Sequence, residues 1–331
     1  MTVVVGLVGA GAIARDHIAA LGQIPEARLG WVVDRHPERA QALAATVDGA
    51  RWTTDLDVML ADPAIDAVDI CTQPDSHAAL AIAAAEAGKA IHVEKPVALA
   101  LTDVDDMFAA TARAGVPLMV GQTLRFQPKH LALSAAVADG EIGRVRVIHA
   151  TRYAGHVWPH GWHAWQLDPA RCGGHLVHNG VHTIDLAAWL MGSAPVRVFA
   201  RGMPTFSPAM PTPDSFHLTL RFACGGLAVL EWSYALRKRG DHLERIVVVG
   251  EEGTLSVASE DESRFVSDAV APANGAVADA FNHQMRHWIA VLQGEEQLLV
   301  QPSEVRATLA TALAAQQSLA SGRAIAIEAA A

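Results

Sequence analysis

Val3-Val4-Val5-Gly6-Leu7-Val8-Gly9-Ala10-Gly11-Ala12-Ile13-Ala14 is an apolar run of strand length that ends in closely spaced glycines and passes into an Ala-rich stretch. Between a strand and a helix, such glycines read as a dinucleotide-binding turn. Gly9 allows the sharp bend, Gly11 keeps the backbone bare where a pyrophosphate approaches, and Ala14 is small enough for the helix to sit close on the strand. Amides at the helix start, from Ala10 to Ile13, face the phosphates with the helix dipole behind them. The second apolar run, Leu29 to Val33, closes on Asp34. A carboxylate there accepts hydrogen bonds from an adenosine ribose and repels a 2′-phosphate, which favours NAD. Arg35 beside it offers a guanidinium to that phosphate or to the adenine face, which keeps NADP open.

Outward from the turn, strand and helix patterns alternate to about residue 122. Strands are predicted at Val3–Val8, Leu29–Asp34, Ala67–Cys71, Ala90–Val93 and Leu118–Val120. Helices are predicted near Ala12–Leu21, Pro37–Thr46, Ser76–Ala87 and Thr102–Ala114, several with Asp, Ser or Thr at the cap. This alternation predicts an α/β Rossmann domain, a doubly wound parallel sheet, over residues 1–122. Beyond Gly121 the texture changes to longer alternating runs, Arg144–Arg152, Ser215–Phe222, Leu227–Tyr234 and Arg245–Val249, with few helices between them. They predict an α+β domain over 123–331 with a large, mostly antiparallel sheet, closed by helices near Val277–Leu292 and Ser303–Ser321. The Pro-rich Gly202–Pro213 and the Ala269–Ala276 segment read as exposed loops.

Composition narrows the function classes. A chain of 331 residues with 51 % apolar content supports two sizeable cores. No apolar run approaches the ~20 residues of a spanning helix. The first strand follows Met1-Thr2 without a basic leader, so a cytoplasmic location is expected. Cys71, Cys172 and Cys224 are scattered and lack metal-type spacing, which reads as reduced thiols. A formal net charge of −10 argues against nucleic acid or an anionic membrane as partner, since both need a basic face.

Two strand ends carry chemistry. After the third strand comes Cys71-Thr72-Gln73-Pro74-Asp75-Ser76-His77, and after the fourth comes Glu94-Lys95-Pro96. Ligands of an open parallel sheet bind beyond the carboxyl ends of its strands, so Lys95 is expected where a nicotinamide ring lies. A lysine there, desolvated or beside another cation, can exchange a proton near neutral pH.

These residues, with Arg39-Ala40 after Asp34, Gly88-Lys89 ahead of Glu94-Lys95-Pro96, Gly121 with Arg125-Phe126, and Gly173-Gly174 ahead of Gly180-Val181-His182 and Asp185, carry a resemblance. The chain resembles the Gfo/Idh/MocA family of oxidoreductases over nearly its whole length. The resemblance implies a nicotinamide cofactor, a sugar, inositol or related polyol substrate, and a catalytic role for Lys95. It adds Arg39, Cys71, Thr72, Gln73, Pro74, His77, Glu94, Lys95 and Gln122 to the cofactor residues and Arg125 to the substrate residues. It also implies a homodimer or homotetramer, paired through the open face of the second-domain sheet.

The second cluster lies between His156 and His182, where six histidines, His156, His160, His163, His175, His178 and His182, accompany Trp158, Trp162 and Trp165. One helix predicted from about His175 to Leu190 would put His175, His178 and His182 on a single face. By resemblance His182 contacts the reacting hydroxyl and serves as general base in oxidation. Asp185 either orients it or is a solvated acid. Family sugar dehydrogenases commonly carry an aspartate four residues before that histidine, and His178 stands there instead. A neutral imidazole cannot supply the aspartate's fixed charge, so the proton relay is expected to differ. The three histidines also meet the spacing condition for zinc, an alternative the family chemistry does not need. The tryptophans read as a loop whose flat faces suit a sugar ring, with Asp168 and Arg171 adding polar contacts. Lys129 and His130 read equally as exposed, structural residues. The expected activity is NAD(P)-dependent oxidoreduction of a sugar or polyol carbinol by Lys95, His182 and His178. Alternatives are a redox-neutral glycoside hydrolase or lyase that uses bound NAD transiently, and a non-catalytic dinucleotide sensor.

Overall fold

The computed structural model describes residues 2–155, 163–203, 213–236, 242–258 and 277–328. His156, Trp158, His160 and Trp162 lie outside the described residues, as do 204–212 of the first predicted loop and all of Ala269–Ala276. The chain divides into two compact units. One comprises Met1–Phe126 with Ala276–Pro302, and the other Gln127–Gly275 with Ser303–Ala331.

The first unit runs β1 (Val3–Val8), α1 (Ala12–Leu21), β2 (Ala27–Val33), α2 (Pro37–Ala44), β3 (Arg51–Thr53), α3 (Leu56–Leu60), β4 (Ala67–Ile70), α4 (Pro74–Glu86), β5 (Ala90–Val93), α5 (Leu101–Ala114) and β6 (Leu118–Val120). Its sheet is parallel throughout, in the order β3-β2-β1-β4-β5-β6, with the switch in winding direction between β1 and β4. Every residue of β1, β4 and β5 is buried. Helices on both faces leave such strands no solvated side, which is why they are read as near-continuous apolar runs. The doubly wound fold is as expected. The short β3 and α3, which lack a full period of either pattern, were not.

The second unit begins with α6 (Pro128–Ala138) and β7 (Val145–Gly155), followed by α7 (Pro169–Cys172), α8 (Gly174–His178) and α9 (Gly180–Met191). Then come β8 (Pro195–Met203), β9 (Ser215–Phe222), β10 (Leu227–Leu236), β11 (His242–Gly250) and β12 (Thr254–Ala258). Helix α10 (Val277–Leu292) groups with the first unit, and α11 (Pro302–Ser321) and β13 (Ile325–Ala326) finish the second. Its seven-stranded sheet has the order β12-β11-β7-β10-β9-β8-β13, antiparallel except where β10 runs parallel to β7. One face carries Ile148, Ala150, Leu218, Leu220, Leu230 and Trp232, all buried. The alternation in β9 (buried, buried, exposed, then strictly alternating to Phe222) is that of a half-covered sheet.

One correction concerns the histidine helix. It is two helices, α8 and α9, broken at Asn179, whose backbone (φ −115°, ψ −31°) departs from helical values. His175 and His178 therefore belong to one short helix and His182 to the first turn of the next.

Candidate active site

The first unit builds a dinucleotide cradle from backbone and one acid. Gly9 has φ +99°, and a Cβ on it would lie 2.8 Å from the Cys71 carbonyl oxygen, so neither its conformation nor its space admits a side chain. A Cβ at Gly11 would meet nothing within 4 Å, so the approach to the start of α1 is open. Gly11 caps α1 without a side-chain bond, leaving the first-turn amides to an outside acceptor. Asp34 Oδ2 accepts the Ala10 amide at 2.8 Å, and Oδ1 accepts the His36 amide at 2.9 Å. Each oxygen keeps a lone pair for a ribose hydroxyl. Arg35 and Arg39 are exposed, and Arg35 Nε reaches His36 Nε2 at 3.3 Å. Gln122, buried just past β6, has an Oε1 with no hydrogen-bond partner among the described residues. A bare turn, open amides, a ribose-type acid and a spare buried acceptor fit a nicotinamide dinucleotide.

The two strand-end loops are clasped by His77. It is fully buried, with Nδ1 3.0 Å from the Pro96 carbonyl and Nε2 3.1 Å from the Thr72 carbonyl. Burial holds its pKa below the ordinary histidine value. His77 thus positions loop backbone. Gln73 caps α4 without a side-chain bond, ahead of Pro74. Ser76 Oγ donates to Thr72 Oγ1 at 2.8 Å. At Cys71 it is the carbonyl that borders the glycine turn. Its thiol points into the core, 3.2 Å from His17 Nδ1, and burial pushes it up to about 12. Lys95 is half-buried, joined to Pro96 by a cis peptide bond, and its amide donates to Glu94 Oε2 at 3.1 Å. Arg125 is wholly buried, with Nη1 donating to the Leu299 carbonyl at 3.1 Å.

A network the sequence reading did not identify lies beneath Glu94. His17 of α1, Asp69 of β4 and His92 of β5 are all fully buried. Asp69 takes His17 Nδ1 on one oxygen and His92 Nδ1 on the other, both at 2.8 Å. Among the described residues this is the group of metal-ligand types that lie close enough to share an ion, rather than the histidines of the second unit. The nitrogen-to-oxygen distances are those of hydrogen bonds, and both Nδ1 atoms face the same carboxylate, so the trio bonds to itself. The available signal was a histidine on the apolar face of α1, which needs a buried partner.

The second unit gathers a different set. Trp165 meets the edge of His178 with ring centroids 5.2 Å apart. His178 is 6.4 Å from His175. His175 packs against Tyr234 at 5.1 Å, and its Nδ1 lies 3.0 Å from Asn179 Nδ2. Tyr234, on an inward position of β10, was not anticipated. Burial outweighs the effects of Arg152 and Asn179 and holds its phenol well above the ordinary value, so it stays a neutral donor. His182 is half-buried on α9, and Asp185 is buried rather than solvated. Asp168 caps α7, accepting the Ala170 amide at 3.0 Å, and is exposed. His130 is fully buried, which corrects its reading as an exposed residue. It and Lys129 converge on Glu244 of β11, at 3.0 and 2.5 Å.

The sequence matches the oxidoreductase family with an NAD-binding Rossmann fold over residues 3–122 and the GFO/IDH/MocA C-terminal domain over residues 130–256. It is 32 % identical to an inositol 2-dehydrogenase of Rhizobium meliloti (strain 1021), covering 99 % of this chain and 100 % of that protein. Among solved structures it resembles a putative myo-inositol dehydrogenase from Sinorhizobium meliloti 1021, with TM-score 0.85, 32 % identity, and coverage of 99 % of this chain and 100 % of the other. It also resembles GenD2 from gentamicin A biosynthesis, in complex with NAD, with TM-score 0.87, 26 % identity and coverage of 99 % and 97 %.

Proposed function

The chain belongs to the GFO/IDH/MocA family of oxidoreductases, and from that premise we propose that it transfers hydride between a carbinol carbon of an inositol, sugar or related polyol and a nicotinamide cofactor, with NAD preferred. The observation that carries the reading is the bare turn at Gly9 and Gly11, with Asp34 tethered to it through the Ala10 amide. The first-turn amides of α1 would hold the pyrophosphate, Asp34 the adenosine ribose, and Thr72, Gln73, Pro74 and Gln122 the remainder. Nicotinamide supplies the electron chemistry, as the site of hydride acceptance.

The protein manages the proton. In oxidation His182 takes the hydroxyl proton as general base, supported by Lys95. His178 stands in for the family's aspartate as a hydrogen-bonding partner. With its edge on Trp165, it favours an apolar ring face on one side and a hydroxyl on the other. Trp158 and Trp162, outside the described residues, belong to the proposed substrate set on their sequence pattern. Arg125 and Asp168 already serve the Leu299 carbonyl and a helix cap, and enter only as supports. The three free cysteines fit a reducing cytoplasm, and no helix among the described residues is long and apolar enough to cross a membrane. The assembly we propose is a homodimer or homotetramer formed through the solvated face of the second-unit sheet, where Val147 and Leu227 are directly paired and both exposed.

The test is isotopic. With myo-inositol deuterated at its ring carbons and NAD in excess, the expected result is one deuterium delivered to the reduced nicotinamide for each ketone formed. Deuterium returned to a carbohydrate product, with no accumulation of reduced cofactor, would instead establish the redox-neutral reading.

A further inference from the structure

The buried group under Glu94 sets a carboxylate against each nitrogen of one imidazole. His17 has no exposed surface. Its Nδ1 is 2.8 Å from Asp69 Oδ2, and its Nε2 is 3.2 Å from Glu94 Oε1. The second contact lies off the line of a hydrogen bond, and His17 Nε2 and Glu94 Oε1 bond nothing else among the described residues. A ring nitrogen without a proton would turn its lone pair on a buried carboxylate, so both nitrogens carry hydrogen and the ring is an imidazolium. Burial opposes that charge, but Asp69 and Cys71 outweigh it and hold the ring's pKa well above the ordinary value.

The two carboxylates differ in how they are held. Asp69 has a second donor, His92 Nδ1 at 2.8 Å, and His92 is itself fixed by Gln284 of α10 at 3.1 Å and by the Trp288 ring at 5.3 Å. Glu94 Oε1 faces His17, while Oε2 accepts the Lys95 amide. A Cβ on Gly121 would stand 2.9 Å from Oε1, so the carboxylate fills the space that this glycine leaves. Phe281 of α10 packs against the His17 ring, with centroids 5.4 Å apart. The groups that face His17 are therefore Asp69 of β4 and Cys71 just after it, His92 of β5 and Glu94 just after it, and Phe281 of α10.

We propose that His17 is a positioning residue for Lys95: a buried imidazolium that ties the helix of the dinucleotide turn to Glu94 and so fixes the backbone from which Lys95 projects. The role rests on the reading of Lys95 as a group of the reaction, but its test does not require turnover. Two amides separate the two contacts of the ring. Asn at 17 puts its nitrogen near Nδ1 and retains the Asp69 bond, whereas Gln puts it near Nε2 and retains the Glu94 contact.

The chain has four lysines, so the Lys95 side chain can be followed by carbon-13 NMR at its ε-carbon in the NAD-saturated protein. The expected result is a displaced Lys95 resonance in His17→Asn, restored toward wild type in His17→Gln. In parallel, kcat with the polyol turned over fastest should fall about tenfold or more in the Asn variant and less than threefold in the Gln variant, with KM for NAD unchanged within threefold. An unmoved Lys95 resonance in a folded Asn variant overturns the proposal, as does equal loss in both variants. If neither variant folds, nitrogen-15 spectra of histidine-labelled wild type decide, because a neutral His17 ring at pH 7 overturns it. Loss of the dehydrogenase reading would show separately, as no polyol turned over by wild type while the Lys95 resonance still responds to His17.

Discussion

At Asp34 the carboxylate is both a structural acceptor and a candidate ligand, since it already bonds the Ala10 and His36 amides. Asp34→Ala is expected to raise KM for NAD about tenfold, equivalent to ~1.4 kcal/mol, and to leave KM for NADP unchanged or lower. Steady-state kinetics with both cofactors checks this. Lys95→Met should lower kcat by roughly a thousandfold, within the usual range for a lost proton-handling group, while the NAD dissociation constant read by tryptophan quenching stays within threefold. Which loops lie along one edge of the first sheet was legible at this scale, because the strands of a parallel sheet all end on the same side. What each side chain does there was less legible. His77 clasps two carbonyls, the Cys71 thiol turns inward, and Asp168 caps a helix. Loop residues follow no period, so their direction is not written in spacing. His17 was hidden differently. A histidine among alanines on a helix declares burial, but its partners Asp69 and Glu94 lie more than fifty residues away in sequence.

Glu244 shows how one buried acid fixes an element. It holds α6 to β11 through Lys129 and His130, with Arg152 of β7 3.7 Å away. Burial pushes its pKa up, but His130, Lys129 and Arg152 together outweigh that and hold it well below the ordinary carboxylate value. A carboxylate depressed in the folded state stabilises fully above its unfolded pKa, about 4.3, and loses that contribution as the pH falls from there toward the folded value. Glu244→Gln should therefore cost about 3 kcal/mol at pH 7, and its deficit against wild type should shrink below about pH 4.3. Urea unfolding at pH 7 and at pH 3.5 measures both. Several elements were legible from their apolar patterns: β1, β5, β6, β9, α1 and α10 fall where the residue pattern puts them. The break at Asn179 was not, because His175 to Leu190 keeps a helical pattern across it. A Cβ at Gly180 would lie 2.5 Å from the Trp232 ring, so the residue after the break sits hard against β10, a tertiary constraint with no local signature.

At the scale of the molecule, the change from alternating strand and helix to long alternating strands announces two folding units, because a parallel sheet buries both faces and an antiparallel one can leave a face wet. Sequence order conceals that α10 groups with the first unit, where Gln284 and Trp288 meet His92. On the second-unit sheet, Val147 and Leu227 lie opposite each other and are 37 % and 44 % exposed. If that face pairs copies of the chain, Leu227→Asp should shift the mass found by light scattering toward the monomer. The measurement that bears most directly on the central claim is absorbance of reduced nicotinamide, with purified protein, NAD or NADP, and a panel of inositols, aldoses and acyclic polyols at mildly alkaline pH. The account predicts accumulation of NADH with at least one inositol or sugar, faster with NAD than with NADP and abolished by Lys95→Met. Bound NAD with no reduced cofactor formed from any member of the panel would contradict it.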